Sequence, residues 1–262
     1  MGLALAWLRR AALEELSYRG HLALQAVGGL VTLAGVYYLG RLVPLSALGG
    51  GYFAFACVGL AAYLPARAAQ AEIAQGVRQA QLVGLLEPLA ASPAGLPAQL
   101  CAMGIWPTIG ALARAASTLA AGALVFGLSL SLSPRSLAIA LAAGLLGAVA
   151  SLGLGLLSAA LVLHVRRSDP IAYLLDSAAW LGSGLLFPTR LLPPWARRAG
   201  ELLPATHVLR VARAALLPSS GGEARGSMLA LGLLALSCPL LGAAALRLSI
   251  RAARRRGSFA IP

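Results

Sequence analysis

The run LAIALAAGLLGAVASLGLGLLSAALVL, from Leu137 to Leu163, contains no charged residue and is followed at once by His164, Arg166 and Arg167. A helix crosses the hydrocarbon of a bilayer in about 20 apolar residues. This stretch is long enough to span, and the basic pair that stops it belongs where lipid ends. Working outward on the same ruler, a first span is predicted over His21–Leu39 and a second over Leu45–Leu64, closed by Pro65 and Arg67. A third covers Ile105–Leu130, a short fifth covers Ile171–Phe187 and stops at Pro188, and a sixth covers Ser227–Leu246. The fold class is therefore all-α integral membrane, with six transmembrane helices.

Composition agrees. Of the 262 residues, 59% are hydrophobic and 11% charged, with mean hydropathy +0.82. A soluble domain has about 45–50% and 25% respectively, so there is too little polar surface here to cover a water-facing globule.

All 21 basic residues are arginine, and the sequence has neither lysine nor asparagine. Without lysine there is no P-loop contact to nucleotide phosphates and no Schiff-base chemistry. A net charge of +13 would suit nucleic acid, but the arginines are scattered between apolar runs, which is the pattern of positive-inside topology. Twelve arginines fall on the N-terminus, the second and fourth loops and the tail, and eight on the other side, six of those in the fifth connection. Both termini are accordingly placed in the cytoplasm. Cys57, Cys101 and Cys238 lie far apart in or beside apolar stretches, without metal-ligand spacing, and read as buried free thiols. The first apolar run is interrupted by Arg9, Arg10, Glu14, Glu15 and Arg19, unlike a cleavable signal. Residues 1–20 read instead as an amphipathic helix lying on the inner leaflet, ahead of a 21–250 transmembrane domain and a basic cytoplasmic tail over 251–262.

Two connections are long. The segment of about 67–97 carries Glu72, Arg78 and Glu87 among apolar residues at near-helical spacing, including Ile73 and Val77, and is expected as a separate helix at the membrane surface. The segment of about 188–225 is interrupted by Pro193, Pro194, Pro204 and Pro218 and is expected as short broken helices. Inside the spans, Arg114 and Asp176 each cost about 2.5–3.5 kcal/mol at the bilayer centre. They are expected to pair with each other, or else to snorkel to the interface. Gly147, Ser151 and Gly155 recur every four residues, which suits close helix packing within the subunit or at a dimer seam. Aromatic residues near the span ends suggest an interfacial belt; Tyr173 and Trp180, which flank Asp176, are candidates for lining a translocation path.

Two stretches resemble the membrane subunit of ABC exporters of the type-2 permease family. One is GLLEPLAASP, Gly84–Pro93. The other is GSGLLFPTRLLPPWARRAGELLPATHVLRVARAALL, Gly182–Leu217, which carries the phenylalanine-proline end of a fifth span, a leucine-proline-tryptophan step, then Pro204, Thr206, His207 and Arg213. The chain departs from the pattern where Pro88 follows Glu87 and where Pro194 doubles Pro193. The resemblance implies a plasma-membrane permease that forms half of a pathway, paired with a second copy or a sister permease and driven by two separate ABC ATPase subunits. It implies that this chain is not an enzyme and binds no cofactor, ATP and Mg being held by the partner ATPase. It makes the 67–97 segment a coupling helix with Glu72, Arg78 and Glu87 as ATPase contacts, and the outer segment a re-entrant gate with Phe187, Pro188, Trp195 and His207. The cargo implied is an amphiphilic drug, lipid or lipid-linked glycan, carried without nucleic-acid partners. Two other classes fit less well. A stand-alone secondary carrier would show internal repeats, which are not evident. An integral-membrane transferase would need clustered acids, whereas Asp169 and Asp176 are the only aspartates.

Overall fold

The computed structural model describes residues 7, 9, 13, 19–42, 51–84, 88, 95–165, 176–178, 180–217 and 224–255. The named helices are α1 (Arg19–Leu42), α2 (Gly51–Leu82), α3 (Gly95–Met103), α4 (Ile105–Phe126), α5 (Pro134–Val165), α6 (Pro194–Gly200), α7 (Pro204–Leu216) and α8 (Ala224–Arg255), and no strand occurs among the described residues. Five apolar helical stretches are long enough to cross a bilayer: Ala23–Leu42, Gly51–Ala80, Gly95–Phe126, Pro134–Val162 and Ala224–Ala252. The chain is thus an all-α, multi-pass membrane protein. Of the expected fifth span, residues 176–178 and 180–182 are helical, while 171–175 and 179 lie outside the described residues. The expected N-terminal helix and the tail beyond Arg255 also lie almost wholly outside them.

α2, α5 and α8 each have 32 residues. At a rise of about 1.5 Å per residue each is about 48 Å long, roughly three turns more than the hydrocarbon requires. The extra length of α2 corrects the sequence reading. Pro65 was expected to close the second span, yet the helix passes through it to Leu82. Ala66, Ala69, Ile73, Val77 and Ala80 continue a buried stripe at helical spacing, and that packing outweighs the one backbone hydrogen bond that proline removes. Pro65 is itself buried, its ring beside Gly144 of α5. The expected 67–97 surface helix is therefore divided. Its first half is the end of α2, and its second half reaches α3 after a gap in the described residues.

Other boundaries shift for local reasons. The third span ends at Phe126 rather than Leu130, because Gly127 takes the left-handed conformation (φ 66°) and returns its N–H to Gly122 O. The sixth span runs on from Leu246 to Arg255.

α5 is the hub, packing against α8, α2 and α7, while α4 and α1 lie along α2. At one end of the bundle Ile73, Val77, Leu96, Leu100, Leu156 and Leu246 join α2, α3, α5 and α8. Toward the other end α7 is inserted among α2, α5 and α8 through Val58, Ala143, Val208, Val211 and Leu231. Lipid is as apolar as leucine, so these contacts are favoured by close packing more than by escape from water. Small residues make that possible. A Cβ at Gly153 would collide with the Cys238–Pro239 backbone of α8, and one at Gly147 with the Val208 side chain of α7. The leucines at 229, 233, 236 and 240 of α8 face outward, as a lipid-contacting stripe should.

Candidate functional site

The proline-broken segment after residue 182 folds as a corner before it becomes α7. The helical residues 180–182 give way to a turn at Gly184 (φ 76°), where a Cβ would meet Thr189 Cγ2 at 2.6 Å. Pro188 then begins a single 3-10 turn, Thr189–Leu191, and Pro194 starts α6. The corner between α6 and α7 is tied by the side chains of the proline-threonine-histidine step. Thr206 Oγ1 donates to Gly200 O (2.6 Å), and His207 Nε2 lies 2.9 Å from Glu201 O. Gly200 packs directly on the Gly182 carbonyl, where no side chain would fit. Arg210 and Glu201 close the corner with a 3.6 Å ion pair. Leu216 O accepts from Ser131 N (2.9 Å), so α7 ends beside the α4–α5 connection.

Arg213 pins α7 in place. Its Nε donates to Phe55 O (3.1 Å), Nη1 to Gly184 O (2.9 Å) and Nη2 to Leu185 O (2.7 Å), and its guanidinium lies 3.4 Å from the centroid of the Phe55 ring. Only 8% of the residue is exposed. The approach depends on Gly59, where a Cβ would stand 2.5 Å from Nη2 and 3.0 Å from Leu185 O. A buried guanidinium is tolerated when its donors are taken, and here carbonyls of α2 and of the turn after residue 182 take three of them. Nothing in the sequence beyond the resemblance singled out this role. The available signal was an arginine on the same helical stripe as Leu209, Ala212 and Leu216.

A second polar cluster lies near the middle of α2. Tyr63 and Arg67, one helical turn apart and therefore on one face, both reach Asp176. The Tyr63 hydroxyl donates to Asp176 Oδ1 at 2.8 Å, and Arg67 Nε is 3.5 Å from the same oxygen. The two charged side chains are part open, 52% exposed at Arg67 and 35% at Asp176. Tyr63 and Arg67 border a narrow cleft whose wall includes Gln70 of α2, Ser151 and Leu154 of α5, and Leu203 at the α6–α7 corner. This corrects the expected Arg114–Asp176 pair. The partner of Asp176 is Arg67, because α2 presents a tyrosine and an arginine side by side to the fifth segment. Arg114 is on α4, which flanks α2, and its backbone carbonyl accepts from Ser117 and Thr118 (both 2.8 Å).

The remaining candidates are dispersed. Glu72 and Arg78 are half-buried on the continuous α2, not on a separate helix, and Glu87 and Tyr173 lie outside the described residues. Trp180 is 37% exposed, one turn beyond Asp176. Phe187 and Pro188 are half-buried and His207 is buried, but Trp195 is 75% exposed on α6 and takes no part in the corner's packing. Gly147 and Gly155 face different helices. Gly147 meets α7, whereas a Cβ at Gly155 would lie 3.0 Å from Gln70 O and 3.1 Å from Ile73 Cβ on α2. Buried Ser151 lies between them along α5, on the cleft. The stripe thus packs within the subunit. Set beside known proteins, the chain is matched by no protein-family model and by no curated protein.

Proposed function

We propose that the chain is the permease subunit of an ATP-binding-cassette exporter of the type-2 family, working in the plasma membrane as half of a dimeric pathway. The observation that carries this reading is α7. A proline-broken segment leaves the fifth span, turns back, and packs among α2, α5 and α8 instead of lying over the surface. A backbone that re-enters at membrane depth is tolerated only when packed against protein or water, and such a plug suits an outer gate. Six spans, cytoplasmic termini and a chain without a nucleotide-binding lysine complete the reading. Motive force then comes from separate ABC ATPase subunits that bind ATP and Mg at the cytoplasmic face.

On this reading the three-turn extension of α2, which bears Glu72 and Arg78, forms the receiving surface together with α3. Closure of the ATPases pushes that surface inward. The continuous helix transmits the push to Tyr63 and Arg67, and further along to Gly59 and Phe55 in the socket of Arg213. The cargo is an amphiphilic drug, lipid or lipid-linked glycan. The test is isolation of the tagged full-length chain from its native membrane in mild detergent. A stoichiometric ABC ATPase is expected to co-purify, and its activity to depend on the permease. Transport by the purified chain alone in ATPase-free vesicles would sink the proposal.

One observation favours a second reading, a stand-alone secondary carrier. The part-exposed Arg67–Asp176 pair links α2 to the fifth segment, and ionisable residues within spans often mark ion or proton routes. Uptake in ATPase-free vesicles driven by an ion gradient alone would select it.

A further inference from the structure

The Arg67 cleft has features that an ordinary structural ion pair lacks. Arg67 approaches Asp176 most closely through Nε, at a long 3.5 Å, and its guanidinium donates no hydrogen bond to any other described residue. Asp176 Oδ1 is shared, with the shorter contact made to Tyr63. The carboxylate therefore has a second holder and keeps a partner when the arginine turns elsewhere. The wall is amphiphilic, with Gln70 and Ser151 among its polar residues and Leu154 and Leu203 among its apolar ones.

An acidic headgroup entering hydrocarbon loses its hydration, and the cost is large unless a fixed cation and hydrogen-bond donors replace the water. A guanidinium suits phosphate and carboxylate because its planar donors can bind two oxygens together. We propose that Arg67 is an exchange site for amphiphiles with an acidic headgroup, a phosphate or a carboxylate. The headgroup takes the terminal nitrogens of Arg67, and Asp176 withdraws onto Tyr63. The negative charge of Asp176 a few ångströms away then keeps the complex short-lived, so the headgroup moves on. The cleft is narrow, and the hydrocarbon chain of the ligand stays in lipid. That the ligand is exported cargo rests on the exporter reading above; that it binds here does not.

The test uses the full chain in nanodiscs of zwitterionic lipid, without any ATPase, titrated calorimetrically with dodecyl phosphate. Saturable binding is expected. Arg67→Gln is expected to weaken it about tenfold or more, the scale of losing hydrogen bonds to a charged group, and Arg67→Lys to weaken it less. Asp176→Asn, which removes the competing anion, is expected to tighten it several-fold. Inorganic phosphate is expected to bind at least tenfold more weakly than dodecyl phosphate; equal binding would overturn the amphiphile as ligand. Binding left unchanged by Arg67→Gln, or matched by dodecyltrimethylammonium, would overturn the anion site. If Arg67→Gln does not fold, Asp176→Asn decides, since unchanged or weaker binding there contradicts exchange. A null result in this assay leaves ATPase co-purification untouched, so the two proposals fail separately.

Discussion

Arg213 and Arg67 both direct a guanidinium into a crevice bordered by α2 and the fifth segment, but their partners differ in kind. Arg213 is 8% exposed and bonds to the carbonyls of Phe55, Gly184 and Leu185. Arg67 is half exposed and leans on one oxygen of a carboxylate that a tyrosine also holds. Backbone carbonyls cannot be protonated, cannot rotate away and have no competing partner in a dry site. A part-exposed side-chain carboxylate can do all three. The first arrangement suits a permanent fastening and the second an exchangeable contact. On the exchange proposal the protein separates holding the α6–α7 corner in place from offering charge to a headgroup, and it uses the same residue type for both.

The sharpest way to break that comparison is Arg213→Met. The substitution keeps much of the side-chain volume but leaves the Gly184 and Leu185 carbonyls, which lie outside any helix, without these donors. At about 1–3 kcal/mol for each buried group left unsatisfied, the expected loss is about 3 kcal/mol or more. It should be read as a large fall in the temperature at which the detergent-solubilised protein loses its monodisperse elution profile. Arg213→Lys should recover little, because an ammonium on one stem cannot reproduce a planar fork aimed at three carbonyls. If Arg213→Met is as stable as the parent chain, Arg213 is not a fastening and the contrast with Arg67 disappears.

Gly59→Ala attacks the same socket from the α2 side. The added Cβ would stand 2.5 Å from Nη2 and 3.0 Å from Leu185 O, and only the arginine end can yield. Overpacking of this type costs about 1–3 kcal/mol. The double variant Gly59→Ala, Arg213→Met should lose less than the sum of the two singles, because once the guanidinium is gone the methyl group has less to displace. Additive losses would place the effect of Gly59 elsewhere. This is measured with the same thermal assay.

These two sites also mark how far a sequence can be read. Five spans were legible because each is a long apolar run, and the α6–α7 corner because its prolines and the proline-threonine-histidine step punctuate it. Pro65 misled for a physical reason. A local breaker was weighed above an apolar stripe, Ala66 to Ala80, whose partners on α5 and α8 are far away in the chain. Asp176 stands out in the sequence as the one acid in an apolar run, but the sequence does not single out its partner. Tyr63 and Arg67 are obvious as a pair only once α2 is known to continue past Pro65, since a helix ending at Leu64 would put Arg67 in a loop. Gly59 and Gly153 went unremarked because a lone glycine in a glycine-rich chain carries no signal until the atoms facing it are known.

Asp176→Asn tests the exchangeable side. The amide keeps an oxygen for the Tyr63 hydroxyl and loses the charge shared with Arg67. Both side chains are substantially exposed, so the pair is worth at most about 1 kcal/mol, and thermal stability should move far less than in Arg213→Met. A collapse comparable to Arg213→Met would mean that both arginines are fastenings, and the division of labour would be wrong.

The smallest effect, and the most discriminating, is expected from Tyr63→Phe. The ring stays in its buried place against Leu185, Ala205 and Leu209, so the packing is unchanged and only the 2.8 Å hydrogen bond to Asp176 is lost. A single bond of this type contributes about 0.5–1.5 kcal/mol, and part of it is regained because water reaches Asp176. Stability should therefore hardly change. Exchange, however, should suffer. Without its second holder the carboxylate stays on Arg67, and dodecyl phosphate should bind about two- to fivefold more weakly, by the same fraction of a hydrogen bond. Tyr63→Phe and Asp176→Asn thus push affinity in opposite directions through one oxygen atom. A purely structural ion pair gives no reason for that opposition, and affinities moving in the same direction would count against Tyr63 as the holder that makes the contact exchangeable.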